Sequence, residues 1–251
     1  MQIDGLSMLI AFISDVHGNL PALKAAVDDA KAQGVNKIIC GGDITGYGPF
    51  PSEVCIYLAE NKIPTISGNY DGKVLDVIKQ GKSAAAKLQK KKRELLFWMA
   101  KHLKKSARNF LESLPTSIEE EILPGHKLLV VHGSPLSNDE DIYPSITAAG
   151  LSLKLGDNHT DILVCGHTHI PFTKHIGGML IINCGSVGLP VDGAPRPSYA
   201  ILSIDDKTAH AHIIRFSYNI DEVVRALKNT SLPKGYRRIL PKVRKGDSYI
   251  D

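Results

Sequence analysis

The stretch MLIAFISDVH, residues 8–17, joins an apolar run to an aspartate and a histidine that stand two positions apart. Such a run predicts a buried strand that stops just before Asp15 and His17. The same order recurs along the chain, where β-rich runs precede Gly42-Asp43, Gly68-Asn69-Tyr70-Asp71, His132-Gly133 and Gly166-His167-Thr168-His169. Because α/β proteins place functional residues on loops at one end of a sheet, we expect all five clusters to meet there.

Strand and helix alternate in the first part of the chain. Asn19 and Pro21 predict a helix start, Lys37–Cys40 is typical of a strand, and Ser52 is expected to cap a second helix. With Pro64–Ser67 as a third strand, the order βαβαβ predicts a parallel sheet with right-handed crossovers.

The later part of the chain has other periods. A helical pattern between about Ser83 and Leu114 indicates a helical insert over about residues 79–114. From Thr173 onward the apolar residues alternate, which predicts a second, largely antiparallel sheet. We expect a single domain over residues 1–251 with a basic tail at about 232–251 that lacks a core pattern.

Length and composition favour a globular protein that needs no disulfides, since 43% of its 251 residues are hydrophobic and only four are cysteine. Those cysteines are expected to be buried thiols rather than metal ligands. The apolar run Met8–Ile13 is far shorter than the ~20 residues of a membrane span. We therefore expect a soluble, unexported, cytoplasmic protein with no membrane partner, in which residues 1–7 are a dispensable leader.

Two stretches are strongly basic. Lys79–Arg108 holds eleven lysine or arginine residues against the single Glu94, and Lys234–Lys245 holds six with no acid. Both could meet polyanions such as nucleic acid, but we favour the interpretation that they are the solvated face of a helix and a loose tail. Neither stretch has the interleaved aromatic residues of a single-strand binding platform.

Carboxylate oxygens, imidazole nitrogens and an amide oxygen form a ligand set that suits Mn, Fe, Zn or similar divalent ions. At this point the clusters resemble the calcineurin-like metallophosphoesterase superfamily, in particular its small bacterial and archaeal phosphodiesterase branch. The match runs from about Met8 to at least Tyr199 and includes Gly46-Tyr47-Gly48-Pro49 and Asn183–Gly188. The resemblance implies an α/β fold of four αββα layers, a two-sheet β-sandwich flanked by helices.

The resemblance also implies a dinuclear centre that holds two divalent ions, Mn first and Fe, Zn or Ni as alternatives. The ligands carried over are Asp15, His17 and His169 for the first ion, Asn69, His132 and His167 for the second, and Asp43 between them. The two imidazoles of His167 and His169 can diverge from one loop towards adjacent ions, with Gly166 allowing a tight turn. The implied reaction is hydrolysis of a phosphate ester by a water that both ions acidify.

One position departs from the family pattern. Much of the superfamily has a histidine after the Gly-Asn of the third motif, where this chain has Tyr70. A phenol with a pKa near ~10 is a poorer proton donor than an imidazolium near ~6.5, so Tyr70 either serves leaving groups that need little protonation or merely shapes the pocket. Asp71 keeps its place and is expected to brace the loop through hydrogen bonds.

Three functions follow as hypotheses. The first is a phosphodiesterase or phosphatase acting on a small phosphoester or a nucleotide, as a monomer or a homo-oligomer. The second is a nuclease that holds nucleic acid on the basic insert, and the third is a non-catalytic metal-binding scaffold. Residues 133–144 are either a lid or an ordinary surface loop, and the acidic run Asn138–Asp141 within them would oppose a polyanion track if it lies near the site.

Overall fold

Alternate side chains of strand β1 (Met8–Ile13) enter two different cores. In the computed structural model, which describes residues 7–205 and 208–236, Ile10 and Phe12 pack between two sheets. Ala11 and Ile13 pack on the other face, against helices. Because successive side chains of a strand point to opposite faces, a strand buried on both sides needs an unbroken apolar run, as residues 8–13 have.

The described residues contain nine strands and seven α-helices. The strands are β1 (Met8–Ile13), β2 (Lys37–Cys40), β3 (Ser117–Leu123), β4 (His126–Val131), β5 (Ile162–Cys165), β6 (Phe172–Ile176), β7 (Met179–Asn183), β8 (Ser198–Ile204) and β9 (Ala209–Arg215). The helices are α1 (Leu20–Ala32), α2 (Pro51–Glu60), α3 (Asn69–Gln80), α4 (Lys90–His102), α5 (Lys105–Ser113), α6 (Ala148–Leu155) and α7 (Ile220–Asn229). A short 3₁₀ turn, Gly81–Ser83, follows α3.

The strands form two mixed sheets, in the orders β2-β1-β8-β9 and β3-β4-β5-β7-β6. Strand β1 pairs in parallel with β2 but antiparallel with β8, so the expected all-parallel first sheet is wrong. The expected second sheet is also wrong in its membership. Strands β6 and β7 join β3, β4 and β5, whereas β8 and β9 return to the first sheet.

Four layers result, and the αββα architecture is confirmed. The inner core lies between the sheets and contains Phe12, Val130 and Val164. A larger outer core lies between the first sheet and its helices, and a smaller one, with Leu129 and Leu151, lies between the second sheet and α6. The period-two pattern of β4, which sends Val130 and Leu129 to opposite cores, is what makes a two-layer sandwich of these strands.

The segment Pro64–Ser67 is not a strand. It makes a single parallel bridge, Thr65 to Cys40, which is the last residue of β2. Helix α3 begins directly at Asn69 and was not predicted. Asn19 caps α1 as expected, since its Oδ1 accepts from the Ala22 amide at 3.2 Å. Ser52 does not cap α2; its hydroxyl donates to the His102 carbonyl instead, at 2.9 Å.

The helical insert is not one continuous helix. It consists of α4 and α5, separated at Leu103 and Lys104, and its amino-terminal part overlaps the end of α3. The described portion of the expected loose tail is packed, since Leu232 is fully buried and Tyr236 is 8% exposed. Residues 1–6 of the expected leader and residues 237–251 of the tail lie outside the described residues. No helix of the described chain is both long and apolar enough to cross a bilayer.

Candidate metal centre

The predicted ligands follow strands of both sheets. Asp15 and His17 come after β1 and Asp43 after β2, in the first sheet, while His132 follows β4 and His167 and His169 follow β5, in the second. Asn69 is the first residue of α3. The carboxyl ends of these parallel strands lie at the same edge of the sandwich, which brings the loops of the two sheets together.

Five of the predicted ligands have an unusual backbone conformation. Asp15, His17, Asp43, His167 and His169 have φ values between 48° and 64°, in the left-handed region. Among the described residues other than glycine, only Lys62 shares it. Residues held in such sparsely populated conformations cluster at functional sites, because the surrounding structure must determine them. Gly166, expected to supply the turn, has no such φ; its role is close packing, since a Cβ there would lie 2.9 Å from Ser14 Cβ.

Asp15, His17 and His169 form a first group of converging donor atoms. His169 Nε2 lies 3.0 Å from His17 Nε2 and 3.1 Å from Asp15 Oδ1. The other ring nitrogens are held by carbonyls, His17 Nδ1 by Thr45 at 3.2 Å and His169 Nδ1 by Leu189 at 2.6 Å. With Nδ1–H donating in this way, both Nε2 lone pairs face the centre of the group, as in metal-binding histidines.

Asp15, Asp43 and His132 form a second group, so Asp15 belongs to both. His132 Nε2 lies 3.5 Å from Asp43 Oδ1, and its Nδ1 donates to the Gly41 carbonyl at 2.9 Å. Asp43 also faces the first group, with Oδ2 3.7 Å from His17 Nε2. The resemblance implied that Asp43 lies between the two groups. In the structure, Asp15 shares this position.

Asn69 and His167 stand beside this second group. The amide of Tyr70, next to Asn69, donates to Asp43 Oδ1 at 2.7 Å. The His167 ring lies 5.2 Å from the His132 ring, and its amide donates to Asp15 Oδ2 at 3.0 Å. All seven predicted ligands are thus brought into one cluster.

The cluster fits divalent ions. Within the described part of the chain, Asp15 Oδ1, Asn69 Oδ1 and His132 Nε2 are buried atoms with no partner in hydrogen-bond geometry. A buried polar group left in that state costs about 1–3 kcal/mol, which coordination would offset. Two ligands each about 2.1 Å from one ion and at right angles to each other are about 3 Å apart, which matches the separations in the first group.

The charges of the cluster also suit cations. Burial would raise the pKa values of Asp15 and Asp43, but the neighbouring imidazoles outweigh burial, and both pKa values lie below their ordinary range. Burial lowers the pKa of His17 to about 4, against the pull of Asp43. At His132 burial acts in the same direction, yet the Asp43 carboxylate overcomes it and the pKa rises to about 10. Both carboxylates are therefore anionic at neutral pH.

Asp71 is fully buried and connects the loop after β2 to the start of α3. Its carboxylate accepts from the amides of Ile44, Thr45 and Gly68 at 2.9 to 3.1 Å and from the Thr45 hydroxyl at 2.8 Å. Burial and Asp43 raise its pKa to about 6. These contacts hold Asp43 and Asn69 in their relative positions.

The hydroxyl of Tyr70 lies 2.5 Å from that of Tyr47. Burial raises the pKa of Tyr70 well above its ordinary value, and Tyr47 adds to the shift. The ring of Tyr47 lies 4.9 Å from His17 and 5.7 Å from Tyr236. The sequence placed Tyr47 only in a string shared with the family and Tyr236 in the basic tail, and it did not predict their part in the site because only the fold brings these residues together.

The acidic run Asn138–Asp141 does lie at the site. Asp139 Oδ1 accepts from Asn69 Nδ2 at 2.7 Å and forms an ion pair with Lys73. Asp141 Oδ1 lies 3.4 Å from His167 Nε2. The Asp139 contact fixes the amide of Asn69 so that its Oδ1 is left for the cluster.

A cavity of about 850 Å³ opens over the cluster. Its floor holds His17, Asp43, Asn69, His167 and His169. Its walls are Tyr47, Tyr70 and Tyr236, Lys87, Leu88, Gln89, Lys91 and Lys92, and Asp141. The site therefore has room for a ligand much larger than an inorganic ion.

Known proteins are similar to this chain in both fold and sequence. Residues 8–207 match the model of the calcineurin-like phosphoesterase superfamily domain. The uncharacterized protein MJ0912 of Methanocaldococcus jannaschii is 33% identical over 243 residues, 90% of this chain and 94% of that protein. Phosphodiesterase YfcE of Escherichia coli is 26% identical over 208 residues, 79% of this chain and 89% of that protein.

A crystal structure of a metallophosphoesterase from Sphaerobacter thermophilus superimposes with a TM-score of 0.74 at 30% identity, covering 94% of this chain and 99% of the other. Fold, site and relatives together define a phosphoester-hydrolysing enzyme. The chain belongs to the calcineurin-like phosphoesterase superfamily.

Proposed function

We propose that this protein is a phosphodiesterase with a dinuclear metal centre that acts on small nucleotide-like or aryl phosphodiesters. The observation that carries the proposal is the pair of donor groups that share Asp15 and are both faced by Asp43. The name of the Escherichia coli relative supports the reaction class. We further propose that residues 1–251 form one domain and, since all four cysteines are free and buried, that it acts in the reducing cytoplasm.

The ligand assignment follows the groups. Asp15, His17 and His169 would hold one ion, Asn69, His132 and His167 the other, and Asp43 would lie between them, with Mn²⁺ as first choice and Fe, Zn or Ni as alternatives. When bound, such ions acidify a water molecule and neutralise phosphoryl oxygens. The protein's own part is to orient the imidazoles through Thr45, Gly41 and Leu189 carbonyls and to fix the Asp43 loop through Asp71.

Tyr70 sets the expected preference among leaving groups. Its hydroxyl pairs with Tyr47 and its pKa is raised, so it is a weak acid for protonating a departing alkoxide. Aryl esters, nucleotide diesters and anhydrides should therefore be better substrates than alkyl phosphates. In a series of esters, the slope of log rate against leaving-group pKa should flatten in Tyr70→His; an unchanged slope would leave Tyr70 with a pocket-shaping role only.

The proposed function is tested by hydrolysis of bis(p-nitrophenyl) phosphate with added Mn²⁺, with chelator, and with Asp43→Asn. We expect turnover that both chelator and the substitution abolish. Asp76→Asn, an exposed position on α3, is the matched control and should retain full activity. Bound metal with no turnover of any ester would favour a scaffold instead.

The nuclease hypothesis has one observation in its favour, the lysines that line the cavity. Asp139 and Asp141 stand on the same site and oppose a long polyanion track. A nuclease would show binding that weakens steeply with salt, because each neutralised backbone phosphate releases counterions. A small-molecule phosphodiesterase would show no such salt-dependent binding of oligonucleotides.

A further inference from the structure

One wall of the cavity above the metal centre is basic. We call Lys87, Lys91 and Lys92 the basic wall; they line the same cavity as His17, Asp43 and the other floor residues. Tyrosines and Asp141 line the rest of the cavity above the cluster. None of the three lysines is needed to build the ligand cluster, so the basic wall calls for a separate explanation.

The basic wall is part of a well-anchored element. Lys91 and Lys92 lie in the first turn of α4, and Leu95, Leu96 and Met99 of that helix are fully buried. Leu88, next to Lys87, packs against the same core. The charges are therefore presented by a fixed surface rather than by a loose lysine tract, which the sequence alone left open.

The start of α4 adds to the positive potential. Its first turn has no acidic residue, and Gln89 at the N-cap makes no side-chain hydrogen bond to it. The amide groups of a first helical turn lack partners within the helix and carry its positive end. Gln89 itself lines the cavity, so these groups lie at the same wall as the lysines.

The basic wall is also close to the reacting end of the site. Lys92 Nζ lies 4.8 Å from the centre of the Tyr70 ring, and the amide of Tyr70 donates to Asp43 Oδ1 at 2.7 Å. A diester carries one negative charge, which ions held by the cluster would neutralise. The lysines line the same cavity, so their charges would meet a second anionic group of the same substrate.

We propose that the basic wall is a subsite for a second phosphate, so that the substrate is a phosphodiester or phosphoanhydride that also carries a terminal phosphate. This inference rests on the proposed phosphodiesterase function and narrows its substrate class to nucleotides or similar compounds with an additional phosphomonoester. Bonds from lysine ammonium groups to phosphate are charge-assisted and among the stronger hydrogen bonds.

A matched pair of substrates tests the subsite. Thymidine 5′-(p-nitrophenyl phosphate) and its 3′-phosphorylated form share the scissile bond and the leaving group and differ only in the extra phosphate. We expect kcat/KM at least about tenfold higher for the phosphorylated form, the factor that one charge-assisted bond supplies. In Lys87→Met combined with Lys91→Met, which leaves Lys92 in place, this ratio should fall at least about threefold towards one.

Lys101→Met, at the exposed far end of the same helix, is the control and should leave the ratio at its wild-type value. A wild-type ratio near one, or a double variant that slows both substrates equally, would overturn the subsite and leave the phosphodiesterase function intact. No turnover of either substrate with any metal would overturn the function and the subsite with it. Affinity that keeps rising from dinucleotide to dodecamer would replace the subsite by a nucleic-acid track.

Discussion

Replacing Gly68 by alanine should disrupt the metal centre without touching a ligand. Gly68 has extended backbone, with φ −91° and ψ −179°, so its backbone conformation is open to alanine. The space is not: a Cβ there would lie 2.8 Å from Asp43 Cα and closer still to the Asp43 amide nitrogen and carboxylate. Since contacts under 3.0 Å require something to shift, the Asp43 loop must move.

The magnitude follows from the overlap. Overpacking of this kind costs about 1–3 kcal/mol of unfolding free energy. Displacing a catalytic group by an ångström costs on the order of 100-fold in rate, so activity should fall by about that factor. The control is Gly72→Ala, one turn further on in α3. A Cβ there meets no described atom within 4 Å, and alanine should stabilise the helix by about 0.5–1 kcal/mol.

Three measurements compare the two variants. Urea unfolding in the presence of chelator measures stability, elemental analysis after Mn²⁺ loading measures metal binding, and hydrolysis of bis(p-nitrophenyl) phosphate measures activity. The expected result is a difference of about 1.5–4 kcal/mol between the two alanine variants, with Mn²⁺ binding weakened and activity reduced about 100-fold only in Gly68→Ala. If Gly68→Ala binds Mn²⁺ and turns over substrate within about twofold of wild type, then the approach of α3 to Asp43 does not position that carboxylate, and the reasoning fails.

Three further outcomes are expected. Chelation should lower Tm, and Mn²⁺ at about 100 times its Kd should restore roughly 2.7 kcal/mol, measured by calorimetry; equal Tm values would speak against a metal held by the fold. Asp139→Ala should weaken Mn²⁺ binding about 10- to 100-fold by freeing the Asn69 amide, whereas Asp157→Ala at an exposed position should not. Because the pKa of His132 is raised to about 10, an ion must displace its proton at neutral pH, so Mn²⁺ affinity should rise about tenfold per pH unit from about pH 6 to 8; a flat titration would contradict that proton count.

The ligand cluster could be predicted from sequence because its signals are local. An apolar run that stops just before Asp15 or His132 predicts both a buried strand and a candidate ligand on the loop at its end, and residue type suggests the chemistry. The same holds for the start of α1, where the capping residue Asn19 is followed two positions later by Pro21.

The sheet membership could not be predicted in this way. Strand β8, which contains Tyr199, pairs with β1 although the two strands lie far apart in the sequence. An alternating apolar pattern predicts a strand but does not say which sheet edge that strand joins. For a related reason the sequence left open whether Asp139 lies at the site and did not predict the part that Tyr47 and Tyr236 play there. Their contacts with Asn69, Tyr70 and each other exist only after the loops have been brought together by both sheets.

Because one half of the cluster comes from the first sheet and the other half from the second, the centre spans the seam of the sandwich. A bound ion would cross-link the two sheets, and any movement of one sheet relative to the other would change the distances between the ion and its ligands. Repacking Phe12 or Val164, deep in the interior between the sheets, should therefore be felt as altered cation affinity at a distance. Selection for catalysis in such a molecule reaches into its apolar interior.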